Sequence, residues 1–491
     1  MELSFRSQGY LRSDLLPILA LGLAVRVITI VAFPSLYHPD ENFQLFEQAH
    51  RLAFGYGIEP WEFRDGIRSL VLPAALAGSF RFFALLGAGP RGYILGTRIA
   101  LACLSLISVA AAYRTGLQRS RTHAILAGVV AATWFELVYF SGRPLTEAVA
   151  ANVLIVALCL ASTPERRYTQ ARLLALGMCL GLCLMLRVHL AIGLLVIAVW
   201  VVRSEIIRRS AALALGAALP VLAFGAADWF TWGSPFHSYI AAFRINVILD
   251  KASYYGVEPI YWYLQQMGTV WVGALPVLLC LIAIRARSSA LWILVAAAII
   301  ASHSLIGHKE YRFVFPAFAC LILVAAMGSA DLIERLDRHH GAKIARRYVA
   351  VAVVLWIATS ASLAMAPGYF DQWFFRRDLI WASFRLFEQP SLCGLLLYDY
   401  PWEATGGYAF LHREIPLYPS VEDPVTALRA SAAFNVILLK RESLSGFAAP
   451  FHLDACMGGA DPEDLCIIER KGDCIPDDSL HPLLRQRGLG E

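Results

Sequence analysis

Residues 15–43 read LLPILALGLAVRVITIVAFPSLYHPDENF, and this stretch decides the fold. Its first part, 15–33, is mostly apolar and close to the roughly 20 residues that a helix needs to cross hydrocarbon, where no backbone polar group can stay unpaired. Polar residues flank it on both sides and no small-residue cleavage site follows, so it reads as a retained anchor and not a signal peptide. The run ends on Pro34-Ser35, and His38-Pro39-Asp40-Glu41 follows at once. Two adjacent carboxylates at the edge of an apolar segment mark a membrane boundary where charge is expensive.

The rest of the chain repeats the pattern. Of 491 residues, 58% are hydrophobic and only 16% charged, against about 25% charged in soluble domains. So little polar side chain cannot cover a chain this long in water, which excludes a soluble enzyme, a disordered protein and a nucleic-acid binder. The net charge of +5 comes from 42 basic residues, mostly arginine and grouped in short loops. Further spans are expected near 93–113, 123–140, 145–162, 172–187, 189–203, 210–229, 266–284, 290–306, 313–331 and 348–366, eleven with the first. The segment 66–88 is apolar but carries Arg68, Pro73 and Arg81. If it does not span, the groups Arg114/Arg119/Arg121, Arg166/Arg167/Arg172, Arg203/Arg208/Arg209, Arg285/Arg287 and Arg335/Arg338/Lys343/Arg346/Arg347 share one side of the membrane. The bias of basic loops toward the cytoplasm favours that solution. The N-terminus is then cytoplasmic, the C-terminus outside, and 66–88 lies at the interface or re-enters. The polar loops at 35–65, 141–144, 230–265 and 307–312 all fall on the non-cytoplasmic face.

Beyond 366 charge, proline and aromatics return, with short alternating runs at 395–398 and 435–439. The expected organisation is a membrane domain over 1–366, whose first outer loop is 35–92, and a small outer α/β domain over 367–491. Cys103, Cys159, Cys179, Cys183, Cys280 and Cys320 lie in apolar helices and read as small buried hydrophobes. Cys393, Cys456, Cys466 and Cys474 fall in the tail, where an oxidising compartment predicts two disulfides in one of three pairings. They contain no CxxC pair of the kind that zinc sites use.

Two loops carry the chemistry. In the first, Asp40 reads either as the cap of an interfacial helix or as a partly desolvated acid placed to accept a proton from a hydroxyl. Downstream, Trp61-Glu62-Phe63-Arg64 and Ile67-Arg68-Ser69 combine aromatics with charge. That mixture suits a membrane interface, and equally a cleft for sugars, whose C–H faces meet aromatics and whose hydroxyls meet carboxylates. In the second loop, His308-Lys309-Glu310-Tyr311-Arg312 packs ionisable residues between two spans, and Lys309 and Arg312 are natural partners for a phosphate. Arg143, Glu147, Tyr254 and Tyr255 add polar and aromatic groups on the same face, and Arg187-Val188-His189 places a cation in an apolar stretch. No nucleotide-binding glycine loop occurs in the sequence. A phosphorylated donor used on the outer face must therefore come from the membrane.

The run His38-Pro39-Asp40-Glu41 with Phe43-Gln44, Glu47, His50, Gly55-Tyr56-Gly57, Trp61 to Arg64 and Ile67-Arg68-Ser69 resembles the first outer loop of a known family. These are the lipid-phosphate-mannose-dependent α-mannosyltransferases of GPI-anchor and N-glycan assembly, glycosyltransferase family 22 of the GT-C superfamily. His308-Lys309-Glu310 with Arg312-Phe313 and Pro316 resembles that family's other marked motif, and weaker similarity brings the total to about 15–330. Two positions depart from the family's pattern: Glu147 replaces a small or amide residue, and Arg187-Val188-His189 lacks the expected Pro and Thr.

The resemblance implies a mainly α, polytopic GT-C transferase. Asp40 would be the base and Glu41 or Glu62 would hold the acceptor sugar, with His38, Arg64, Arg68, Arg143, Tyr255 and Glu310 completing the substrate-binding set. Lys309, Arg312 and His308 would face the lipid phosphate. The donor would be a polyprenyl-phosphate sugar and the acceptor a glycan or glycolipid, with no cofactor and no obligatory metal, although Asp40 and Glu41 leave a cation open. The Arg-rich, Lys-poor composition predicts a bacterial inner membrane with the site facing the periplasm; the endoplasmic reticulum is the alternative. A transferase for another lipid-linked sugar, such as arabinose or an amino sugar, fits the same residues. A transporter would need inverted repeats and broken helices with ionisable residues at midplane, and the sequence offers carboxylates in an outer loop instead.

Overall fold

The computed structural model describes residues 13–340, 342–402, 405–419, 432–447, 449–458, 461–477 and 483. The side chains of Arg338 and Lys343, and the terminal Glu491 expected outside, lie beyond the described residues. The chain forms two units, one of residues 1–32 and 98–371 and the other of 33–97 and 372–491.

The first unit is helical. Helices Leu15–Ala32, Pro90–Leu117, Ile206–Trp232, Trp262–Arg285, Tyr311–Leu336 and Arg346–Ala364 are long and apolar enough to cross a membrane. A seventh candidate is the pair Arg121–Thr133 and Phe135–Ser141, bent by 53°. Each remaining expected span also falls on an apolar helix, but these are shorter: Thr146–Ala161, Gln170–Leu186, Val188–Val202 and Ala290–Ser304. Sixteen residues such as Thr146–Ala161 rise about 24 Å, less than the roughly 30 Å of a hydrocarbon core. Length and composition therefore support six or seven spans directly, and eleven remains an expectation.

The bend has a physical cause. Trp134 leaves the helix with extended backbone angles, and Arg26, buried inside an apolar helix, donates to the carbonyls of Ala131 at 3.0 Å and Ala132 at 2.8 Å. A cation at a helix C-terminus satisfies both the orphan carbonyls and the dipole. Ser360 holds the other side of the break, donating to the Thr133 carbonyl and accepting from the Phe135 amide. Elsewhere small residues set close approach: a Cβ at Gly177 would strike the Leu213 carbonyl, and one at Gly216 the Leu174 carbonyl. Helices in lipid associate through such backbone contact because burial of apolar surface gives them little drive.

The second unit joins the first outer loop to the tail, a long-range pairing that the alternation of apolar runs did not reveal. Its sheet has the order β2-β1-β3-β5-β4, with β1 Leu395–Leu397, β2 Leu417–Tyr418, β3 Val436–Lys440, β4 His452–Met457 and β5 Leu465–Glu469. β1 runs parallel to β2 and β3, and β5 runs antiparallel to β3 and β4. Its core gathers Leu396, Tyr418, Phe434, Ile437, Leu439 and Ile468. Of the three pairings open to the tail cysteines, the structure forms Cys393–Cys474 and Cys456–Cys466. The segment 66–88 contains helix Val71–Leu85, and Arg81 turns inward, donating to the carbonyls of Leu52 and Ala53 at the end of helix Glu47–Phe54.

The Glu47 carboxylate locks loop and tail together. It accepts the amides of Ile58 at 2.7 Å and Ala409 at 2.8 Å. Three residues on, His50 meets His412 ring to ring, nitrogen to nitrogen at 2.9 Å. Both Glu47 and His50 are fully buried. Burial raises the Glu47 carboxyl to about 7 against the pull of its amide donors and Arg51, and the same desolvation, helped by His412, lowers His50 to about 3.

Candidate active site

In the second unit Pro39 and Asp40 begin a helix that continues through a π-helical stretch, Glu41–Phe46, into Glu47–Phe54. Such π turns are inserted where a side chain must be re-aimed, often at functional sites. Asp40 does not cap this helix, because its side chain makes no capping hydrogen bond. His38 does so instead, its Nδ1 accepting the Asp40 amide at 3.2 Å. The Asp40 carboxylate is left half-buried, 3.5 Å from the same His38 nitrogen. Of the two readings of Asp40 the structure removes the cap.

Glu41 departs from its expected role. Its side chain is wholly buried and accepts the Tyr37 amide at 2.9 Å, which stiffens the turn that presents Asp40. Glu62, on the short helix Trp61–Arg64, is the second carboxylate beside Asp40. Gln44 donates to it at 3.0 Å. Burial and the Asp40 charge raise its pKa while Arg68 opposes them. Asp40, Glu62 and Arg68 thus form one electrostatic group. The buried Nε of Arg68 meets no acceptor among the described residues, and Arg64 is exposed.

In the membrane unit the second motif opens the helix Tyr311–His340. His308 has acceptors at both ring nitrogens, the Gly256 carbonyl and Glu310, each at 3.2 Å. That is the pattern of an imidazolium, and the hydrogen bond to Glu310 raises its pKa. Glu310 also takes Arg312 in a two-point pair at 2.6 and 2.9 Å. Arg312 further approaches Glu147 at 3.5 Å, and Arg187 meets the same Glu147 oxygen at 3.2 Å. The two guanidinium groups lie against the Phe313 ring, 5.0 and 5.3 Å from its centre. Tyr255 lies beside His308, exposed, with ring centres 6.1 Å apart. Arg143 is buried over the Tyr139 ring at 3.9 Å.

Lys309 corrects the sequence reading. It is buried, and its ammonium donates to the carbonyls of Ile306 at 2.5 Å, Glu258 at 2.7 Å and Gly307 at 3.4 Å. An ammonium has three hydrogens, and these close the turn before the helix, so none is left for a phosphate. Arg187 was legible only as a lone intramembrane cation, and its pairing with Glu147 links the two positions that depart from the family's pattern. Arg187, Arg312 and the His308 imidazolium face Glu147 and Glu310, an excess of one positive charge, while Lys309 is offset by Glu258.

One cluster among the described residues, His123, Asp331 and Glu334, has ligand atoms close enough for a metal ion. Arg285 already pairs with Asp331 at 3.0 Å, which suits a clamp between helices better than a cation site. Asp331 also lies about 30 Å along its helix from Tyr311.

The profile of the Alg9-like mannosyltransferase family matches residues 18–382, the greater part of the chain and both motifs. The chain belongs to this family. GPI mannosyltransferase 3 of Yarrowia lipolytica is 27% identical over 428 residues, covering 82% of this chain and 76% of that protein. Mannosyltransferase APTG1 of Arabidopsis thaliana is 24% identical over 431 residues, covering 80% and 75%. Among solved structures, ArnT from Cupriavidus metallidurans bound to undecaprenyl phosphate matches with a TM-score of 0.59 at 12% identity, covering 94% of this chain and 99% of that one. The fold is thus of the GT-C type, and the protein is a multi-pass membrane glycosyltransferase of a mannosyltransferase family.

Proposed function

We propose that this mannosyltransferase moves mannose from a polyprenyl-phosphate donor to a glycan or glycolipid acceptor, with inversion, on the non-cytoplasmic face of its membrane. The observation that carries the reading is the positive excess around His308, Arg187 and Arg312, held by Glu147 and Glu310 at the head of an apolar helix. A phosphate attached to a lipid supplies the missing negative charge and reaches such a place through the bilayer.

The reaction is one displacement. An acceptor oxygen attacks the anomeric carbon of a β-linked mannosyl phosphate, the bond from that carbon to the phosphate oxygen breaks, and the product is an α-mannoside. The hydroxyl proton goes to Asp40, and Glu62, with its raised pKa, holds the acceptor together with Arg68, Arg64 and His38. Arg312, Arg187 and His308 stabilise the charge that grows on the departing phosphate. Tyr255 and Arg143 contribute aromatic and polar contacts to the sugar. The chemistry needs no metal. Composition supports a bacterial cytoplasmic membrane, whereas the eukaryotic relatives fit the endoplasmic reticulum, and the reaction is the same in either.

The test is transfer by the purified protein from radiolabelled polyprenyl-phosphate mannose, run beside donors carrying arabinose or an amino sugar. Transfer of mannose with α stereochemistry supports the reading. Transfer of another sugar alone would replace mannose as the substrate.

A further inference from the structure

Glu136 lies in the apolar stretch after the bend and is buried to 2% exposure. No cation faces it. Its carboxylate accepts from three neutral donors: Trp134 Nε1 at 2.8 Å, Trp271 Nε1 at 2.8 Å and the Tyr311 hydroxyl. A carboxylate without a positive partner is costly to bury, so packing alone would favour an apolar residue here. Yet the donor set calls for an acceptor at this position. Indole nitrogen can only donate, both indoles meet the same oxygen, Oε2, and the Tyr311 hydroxyl meets Oε1. An apolar side chain here would take this acceptor away from all three.

The three donors sit at three interruptions of the chain. Trp134 is the break between Arg121–Thr133 and Phe135–Ser141. Trp271 ends helix Trp262–Trp271, just before Val272 with a positive φ of 33°. Tyr311 begins the helix whose next residue is Arg312. The partners are separated from Glu136 by 135 and 175 residues for Trp271 and Tyr311, so no local turn accounts for the convergence.

We propose that Glu136 is a positioning residue for the 308–313 segment. Through the Tyr311 hydroxyl it fixes where the helix starts, and so the direction from which Arg312 meets Glu147, Glu310 and an anionic ligand. This role rests on the reading of that segment as the donor-phosphate site.

The experiment uses the full chain in detergent with Glu136→Leu, Tyr311→Phe and the double variant. Two readouts are taken: hydrogen exchange of the amides at 306–313, and affinity for farnesyl phosphate by titration. Displacing a positioned group by about 1 Å costs on the order of 100-fold. Each single variant should therefore speed exchange and weaken farnesyl phosphate by about 10- to 100-fold, and the double variant should be no worse than Glu136→Leu, which has already lost the bond to Tyr311. Unchanged exchange at 306–313, or effects that add in the double variant, would overturn the proposal. If wild-type protein binds no farnesyl phosphate while the variants still loosen 306–313, the donor-site reading falls and the positioning of the segment stands.

Discussion

Glu47→Gln should change how the second unit's stability depends on pH. Burial raises the Glu47 carboxyl from 4.5 to about 7 and lowers the His50 imidazole from 6.5 to about 3. The raised carboxyl holds its proton more tightly in the folded state, so its contribution is complete below pH 4.5 and is lost as pH rises through 7. The lowered imidazole acts in the opposite sense: its contribution is present above pH 6.5 and is lost as pH falls through 3. Between 4.5 and 6.5 these two slopes oppose each other at about one proton each, so together they nearly cancel. Glutamine removes the Glu47 slope. One of its ends also sets N–H groups against an amide of Ile58 or Ala409, an offset of about 1–3 kcal/mol at every pH. Over two pH units the uncovered His50 slope amounts to about 3 kcal/mol, or roughly a hundredfold in protection. Hydrogen exchange of the amides at 47–58 and 407–412, corrected for intrinsic rates, reads this directly. Relative to wild type, the variant should gain about a hundredfold in protection from pH 4.5 to 6.5. Parallel profiles would refute the assignment of Glu47 as a buried carboxyl with a raised pKa.

Lys309→Met and Arg312→Ala should separate support from catalysis. The first removes donors from three carbonyls and should lower the melting temperature while leaving the donor KM within about threefold. The second should lower turnover about 10²–10³-fold with every acceptor offered, and loss with only one acceptor would put the motif on the wrong substrate. Removing Cys393–Cys474, which closes 81 residues, should destabilise the second unit by about 2 kcal/mol more than removing Cys456–Cys466, which closes 10; equal losses in denaturant titration would contradict that order. Reporter fusions after Arg121 and Arg347 should be cytoplasmic, and those after Glu62 and Glu491 outside. A cytoplasmic tail would refute the expected topology and leave its disulfides in a reducing compartment.

The two motifs were legible because ionisable residues at the end of an apolar run need an explanation. Their internal assignments were less so. The choice between Lys309 and Arg312 depends on three carbonyls brought up by the turn at 256–258 and 306–307, which no spacing announces. Asp40 and Glu41 look equivalent in sequence, and only the π-helical stretch turns one toward the Tyr37 amide. Glu147 and Arg187 were singled out separately as departures, and their pairing needed the fold. Glu136 was within reach. It is a lone acid in an apolar span, and the rule that drew attention to Arg187 applies to it equally. Its partners, 135 and 175 residues away, could not be seen.

The general-base role of Asp40 is tested most directly by Asp40→Asn at saturating polyprenyl-phosphate mannose and saturating acceptor. The substitution keeps the shape, and since the Asp40 side chain makes no capping hydrogen bond to the Glu41–Phe46 stretch, the melting temperature should stay within a few degrees of wild type. Loss of the proton acceptor should lower kcat by about 10²–10⁴-fold, with the donor KM little changed. Near wild-type turnover in a folded Asp40→Asn protein would contradict the account.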